Sequence, residues 1–256
     1  MSTRIEQIRP LAEREPQTAE LPGHPPRPKA ALFDLLVVFT PLLLSAAYLL
    51  VVSIESPVTF VAIAWPLNFC TMLLIACRIR SRNISWRELG CGWGRWNMRT
   101  AALGSLQSLI VLFLAMLGFV VAGAAVMVFI DPQAAPDMSQ YNYLSGNLSL
   151  FLVSLAGVLV VSSFGEELIY RSFLINRLEA LLGGASTLAT STSVACSSLW
   201  FGLIHFHWGW VGVVQTTGMG LALGLSFILL KRNLWPLVAA HATMDTLLLL
   251  QLYLAR

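Results

Sequence analysis

The chain has 256 residues, 57% of them hydrophobic and 11% charged, with a mean hydropathy of +0.73 and a net charge of +3. Soluble globular domains carry about 25% charged residues, so this composition excludes one and describes a chain built for the bilayer. The small positive surplus needs no nucleic-acid partner to explain it.

Residues 1–31 form a polar leader with Pro10, Pro16, Pro22, Pro25, Pro26 and Pro28 among mixed charges. Such a composition buries too little apolar surface to fold alone, so the leader reads as a disordered cytoplasmic tail. It serves as a docking segment or, more plainly, as a solvated extension. It lacks the short apolar core before small residues that marks a cleavable signal peptide. Seven hydrophobic segments follow, at about 32–54, 58–77, 101–130, 148–170, 187–206, 211–230 and 234–254. Each approaches the roughly 20 residues that cross about 30 Å of hydrocarbon. The fold class is therefore all-α: a polytopic membrane helix bundle with about seven transmembrane helices.

Basic residues collect before the first segment (Arg27, Lys29), between the second and third (Arg78, Arg80, Arg82, Arg87, Arg95, Arg99), after the fourth (Arg171, Arg177) and after the sixth (Lys231, Arg232). The alternate loops hold Glu55, Asp131 and Asp137. The positive-inside rule then puts the N-terminus in the cytoplasm and the C-terminus outside. Trp86, Trp93 and Trp96 fit an interfacial belt, and Tyr141 and Tyr143 a second interface in the external loop 131–146. Cys70, Cys77, Cys91 and Cys196 show no CxxC spacing and imply no structural disulfide.

Segments one to three hold few intramembrane polar groups and read as scaffold (32–146); the region 147–256 holds the costly ones. One charge at the centre of a membrane helix costs about 2.5–3.5 kcal/mol on insertion scales. The fourth segment nevertheless contains Glu166-Glu167 and Arg171, the fifth ends at His205, and the seventh contains His241 and Asp245. On a helix Glu167 and Arg171 are four apart and pair along one face, while Glu166 points elsewhere and lacks that partner. A carboxylate so placed suits a general base or acid. The plainer alternative pairs both glutamates with Arg171 and Arg177 at a helix end. Phe201 shares a face with His205 and can orient its ring, although a lone histidine near a helix end is often only interfacial. His207 reads as interfacial. His241 and Asp245, four apart, place a carboxylate on one ring nitrogen and direct the other into a cavity. The small residues Thr216, Gly220 and Gly224 form a packing stripe on segment six.

Glu166-Glu167-xxx-Arg171, Phe201-xxx-His205 and His241-xxx-Asp245, in this order on three hydrophobic segments, resemble the three motifs of the CPBP family. These are intramembrane proteases related to the CAAX prenyl endopeptidase. The resemblance covers about residues 147–250. It implies an endopeptidase acting on a membrane-anchored protein or peptide in the lipid bilayer, in the bacterial inner membrane and without a cofactor. Glu166, helped by His205, would activate water; Glu167 and Arg171 would support the carboxylate; His241 would stabilise the oxyanion. The prenyl endopeptidases usually have asparagine where this chain has Asp245. An ionised aspartate donates no hydrogen bond, so Asp245 is expected to orient and protonate His241. An alternative reading makes Glu166, His205 and His241 ligands of a catalytic zinc, though the chain lacks HExxH. Non-enzymatic readings are a bacteriocin-immunity or scaffold protein, or a proton-coupled transporter, which would more often show broken helices in corresponding halves.

Straight segments raise one conflict. They place His205 near the outer face, and Glu166 and His241 nearer the cytoplasmic face, more than about 10 Å away in depth. Either the turn at 206–210 dips into a protein-lined cavity or the segment boundaries shift.

Overall fold

The structure is a computed structural model that describes residues 27–51, 57–92, 97–129, 138–184 and 186–255. Its helices are α1 (Pro28–Val51), α2 (Pro57–Ser81), α3 (Met98–Met127), α4 (Leu148–Leu181), α5 (Thr187–Leu203), α6 (Gly209–Leu229) and α7 (Trp235–Leu254). No strand occurs among the described residues. The fold is the expected polytopic helical bundle. The leader up to residue 26, Glu55, Trp93, Arg95, Trp96, Asp131 and Asp137 lie outside the described residues.

Six of the seven helices are long and apolar enough to cross a membrane, and α5 is the exception. Its 17 residues rise about 25 Å, and seven of them are serine or threonine. The segment expected at 187–206 therefore ends three residues early. The fourth differs in the other direction and runs to Leu181 rather than 170. Its added turns carry Arg177 and Glu179, which cross-helix ion pairs neutralise.

Local chemistry sets several helix starts. Asn97, Asn147 and Ser186 each cap the following helix by accepting a backbone N–H three residues on, which satisfies one of the orphan donors at a helix N-terminus. Lipid-facing side chains such as Leu106, Leu109, Phe113 and Val121 cover the outside of α3. The small-residue stripe on α6 packs as expected against α5. A Cβ on Gly220 would stand 3.2 Å from the Phe201 ring, and one on Gly224 2.9 Å from Val194.

The bundle has one strongly basic end, where α1 begins and α2 and α4 finish. Asp34, fully buried, accepts from Arg78 Nε and Nη2 at 2.9 and 2.8 Å and from Arg82 Nε at 3.1 Å. Arg177 Nε reaches its other oxygen at 3.0 Å. Arg232, in the turn between α6 and α7, clasps both oxygens of Glu179 at 2.9 and 2.8 Å. The 84–92 loop closes this end: Ser172 Oγ donates to Leu89 O at 2.6 Å and Leu234 N to Gly90 O at 3.1 Å. Gly90 has φ +78°, and a Cβ there would lie 2.0 Å from Arg232 O, so only glycine fits. Burial pushes the Cys91 thiol in the same loop up to about 11. Trp86 is exposed beside this end.

At the opposite end Gly146 N donates to Tyr253 O at 2.9 Å and the Phe151 and Tyr253 rings meet at 5.0 Å. Trp208 Nε1 donates to the Tyr141 hydroxyl at 3.1 Å. His207 lies against Phe60, with ring centroids 4.1 Å apart.

Candidate active site

The polar residues of the membrane interior meet where α4, α5 and α7 pack. Helix α4 is unusual there: Val158–Phe164 and Glu167–Leu174 are π-helical, with Gly165 and Glu166 between them. π-turns are rare and occur mostly at functional sites. The second stretch is buried along its whole length, from Glu167 to Leu174.

Glu167 is the hub. Arg171 Nη1 donates to its Oε1 at 2.9 Å, and His241 Nδ1 donates to the same oxygen at 2.8 Å. The Arg171 guanidinium also lies 4.1 Å over the Phe201 ring, a cation–π contact of the kind strengthened by desolvation. Glu166 has no comparable partner. It is 7% exposed, its Oε2 receives no hydrogen bond among the described residues, and its nearest charged neighbour is His241 Nε2 at 4.0 Å. The two adjacent carboxylates are thus built differently: Glu167 takes two donors on Oε1 while its Oε2 has none, and Glu166 is held by neither donor.

His241 therefore differs from expectation in one respect. The carboxylate that hydrogen-bonds its ring is Glu167, on another helix, and not Asp245 one turn along α7. Asp245 Oδ1 stands 3.7 Å from Nε2, beyond hydrogen-bond reach, and its Oδ2 accepts from Ser163 Oγ at 2.8 Å. Asp245 is the most open of the acidic groups here, its side chain 20% exposed.

His205 sits in the turn after α5. Its Nδ1 donates to Phe201 O at 2.8 Å, which leaves Nε2 with the lone pair in the neutral ring. Its ring packs on Phe201 at 4.9 Å, and the His241 ring approaches the same phenyl edge-on at 6.2 Å. Phe201 thus brings the two imidazoles to one side chain. These two contacts answer the depth conflict, with His205 lying in the turn that follows the shorter α5. Sequence reasoning missed two members of this neighbourhood. Ser163 is one; Tyr170 is the other, fully buried, edge-on to Phe201 at 5.5 Å, its hydroxyl without a hydrogen-bond partner among the described residues.

No group of three or more His, Cys, Asp or Glu side chains is placed to hold a metal ion among the described residues. Both imidazoles use Nδ1, for Phe201 O and for Glu167, which leaves each Nε2 for a reacting group.

An all-helical bundle whose interior gathers carboxylates and imidazoles around a buried arginine defines an integral membrane protein with a polar, enzyme-like site. Residues 148–247, the stretch that supplies all these groups, match the family model described as type II CAAX prenyl endopeptidase Rce1-like. This stretch is a CAAX-protease-like domain of the CPBP type, as its three motifs imply, and that family is one of membrane proteases. A search of curated proteins found no match, and a search of solved structures found none.

Proposed function

We propose that the chain is an intramembrane endopeptidase that hydrolyses a peptide bond near the membrane surface in a membrane-anchored protein or peptide, using water activated by Glu166. The unequal partnering of Glu166 and Glu167 carries this reading. A buried carboxylate that no donor neutralises is placed to take a proton, whereas one held by both an arginine and a histidine is not.

Glu166 takes a proton from water as the water oxygen attacks the scissile carbonyl carbon. His205 assists through Nε2, the nitrogen left with a lone pair. The tetrahedral intermediate carries its negative charge on the former carbonyl oxygen. His241, held at Nδ1 by Glu167, faces that charge with Nε2 and donates to it when protonated there. The C–N bond then breaks and Glu166 returns its proton to the leaving amine. Arg171 fixes Glu167, and Asp245 stands beside Nε2 as a counter-charge and proton path. Residues 32–146 act as scaffold for the catalytic helices of 147–256. The charge distribution supports a cytoplasmic N-terminus, and a bacterial inner membrane is the location proposed from the family resemblance.

The test uses purified protein in liposomes. One substrate is a peptide anchored through a C-terminal farnesyl cysteine; the other is an unmodified single-span peptide. Fragments are read by mass spectrometry. Cleavage of either, unchanged after prolonged zinc chelation, is the expected result. Activity lost on chelation and restored by zinc would overturn the metal-free mechanism.

A further inference from the structure

Buried hydroxyl groups in membrane helices usually satisfy themselves by donating to the carbonyl one turn back. This chain follows that habit at Thr71 to Leu67 O (2.8 Å), Ser198 to Val194 O (2.7 Å) and Thr216 to Gly212 O (2.7 Å). Ser163 does not. Although fully buried, it crosses from the first π-helical stretch of α4 to α7 and donates to Asp245 Oδ2. The other oxygen of the same carboxylate is the one 3.7 Å from His241 Nε2.

We infer that Ser163 is a positioning residue, which holds the Asp245 carboxylate by one oxygen so that the other faces His241 Nε2. The inference deepens the proposed endopeptidase reading and rests on it for its catalytic meaning. Asp245 is the most solvent-open acid of the site, and without a donor its carboxylate would be free to rotate away from His241. One charge-assisted hydrogen bond from a buried donor removes that freedom. His241 is then flanked by Glu167 at Nδ1 and by Asp245 and Glu166 near Nε2, with Arg171 behind Glu167 and His205 across Phe201. Ser163 acts on the ring through Asp245 alone. A plain structural tie between α4 and α7 would stabilise the bundle without touching the ionisation of His241.

The experiment needs no substrate to be decisive. Protein labelled with 15N-histidine, in nanodiscs, is titrated by NMR as wild type, Ser163→Ala, Ser163→Thr, and both serine variants combined with Asp245→Asn. In Ser163→Ala the midpoint of the His241 ring signal should move by about half a pH unit or more, with His205 and His207 unchanged, and Ser163→Thr should restore it. In the Asp245→Asn background the serine substitution should move it no further. A His241 titration in Ser163→Ala that superimposes on wild type overturns the inference. So does an equal shift in the Asp245→Asn background. Where the wild type cleaves a reconstituted peptide, Ser163→Ala should lower kcat about five- to tenfold, the worth of one hydrogen bond, with KM unchanged. Failure of the endopeptidase reading would show separately, as equal rates for wild type and Glu166→Gln.

Discussion

Two buried polar clusters divide the charge of this molecule in opposite ways. At the basic end, one carboxylate, Asp34, answers three guanidinium groups, from α2, the turn after it and α4. In the interior, three carboxylates, Glu166, Glu167 and Asp245, gather around Arg171 and His241. The first cluster gives its carboxylate three guanidinium neighbours as donors or ion-pair partners, and it ties α1, α2 and α4 into one body. The second leaves Glu166 Oε2 with none. Burial is similar in both, so burial alone does not mark a functional site; a buried carboxylate with no guanidinium at ion-pair distance is the sharper sign.

The comparison breaks most visibly at Asp34. Asp34→Ala strands Arg78, Arg82 and Arg177 without their shared carboxylate, and breaking a buried ion pair from one side costs about 3–5 kcal/mol. Thermal unfolding in detergent should show a large loss of stability and a low yield of extractable protein. A variant as stable as wild type would mean that the cluster does not hold the scaffold to α4.

Glu167→Gln should fall between the two clusters, because Glu167 is both partnered and part of the site. The amide keeps the shape but removes the anion facing Arg171 and His241, a loss of about 2–3 kcal/mol accompanied by a fall in turnover. Stability and rate measured on one preparation check this. Damage to turnover alone would assign Glu167 a purely chemical part.

The smallest effect lies at Cys91, outside both clusters. Burial raises its folded-state pKa from 9.0 to about 11. The neutral thiol is therefore favoured by folding: its contribution is complete below pH 9 and is lost as pH rises toward about 11. Cys91→Ala should flatten that part of the stability–pH curve, read by thermal unfolding from pH 8 to 11. An unaltered slope would place its cause elsewhere.

Local contacts were legible in the sequence. The Glu167–Arg171 pair joins residues four apart on one helix, and the Phe201–His205 stack joins residues four apart across the end of α5, so near-helical spacing brings each together. Contacts between helices were not. His241 meets Glu167 across 74 residues and Ser163 meets Asp245 across 82, and nothing in either local stretch announces the partner. The π-helical turns that place Ser163, Glu166 and Glu167 leave no spacing signature of their own. A single acid in an apolar run, Asp34 has no local partner in the sequence; its partners Arg78, Arg82 and Arg177 lie 44 or more residues away. The overlong fifth segment has a readable cause: its seven hydroxyl residues sit in an otherwise apolar stretch, so its end was set by composition and not by the turn at 204–205.

The central claim is that Glu166 is open because it does the chemistry. Its direct test is Glu166→Gln, assayed for cleavage of a reconstituted membrane-anchored peptide and for thermal stability on the same sample. The amide should lower turnover by at least about 10²-fold, the low end for a general base. Stability should stay at or above the wild-type value, since an unpartnered buried charge has been removed. Full turnover in the variant, or a loss of stability equal to that of Asp34→Ala, would contradict the account.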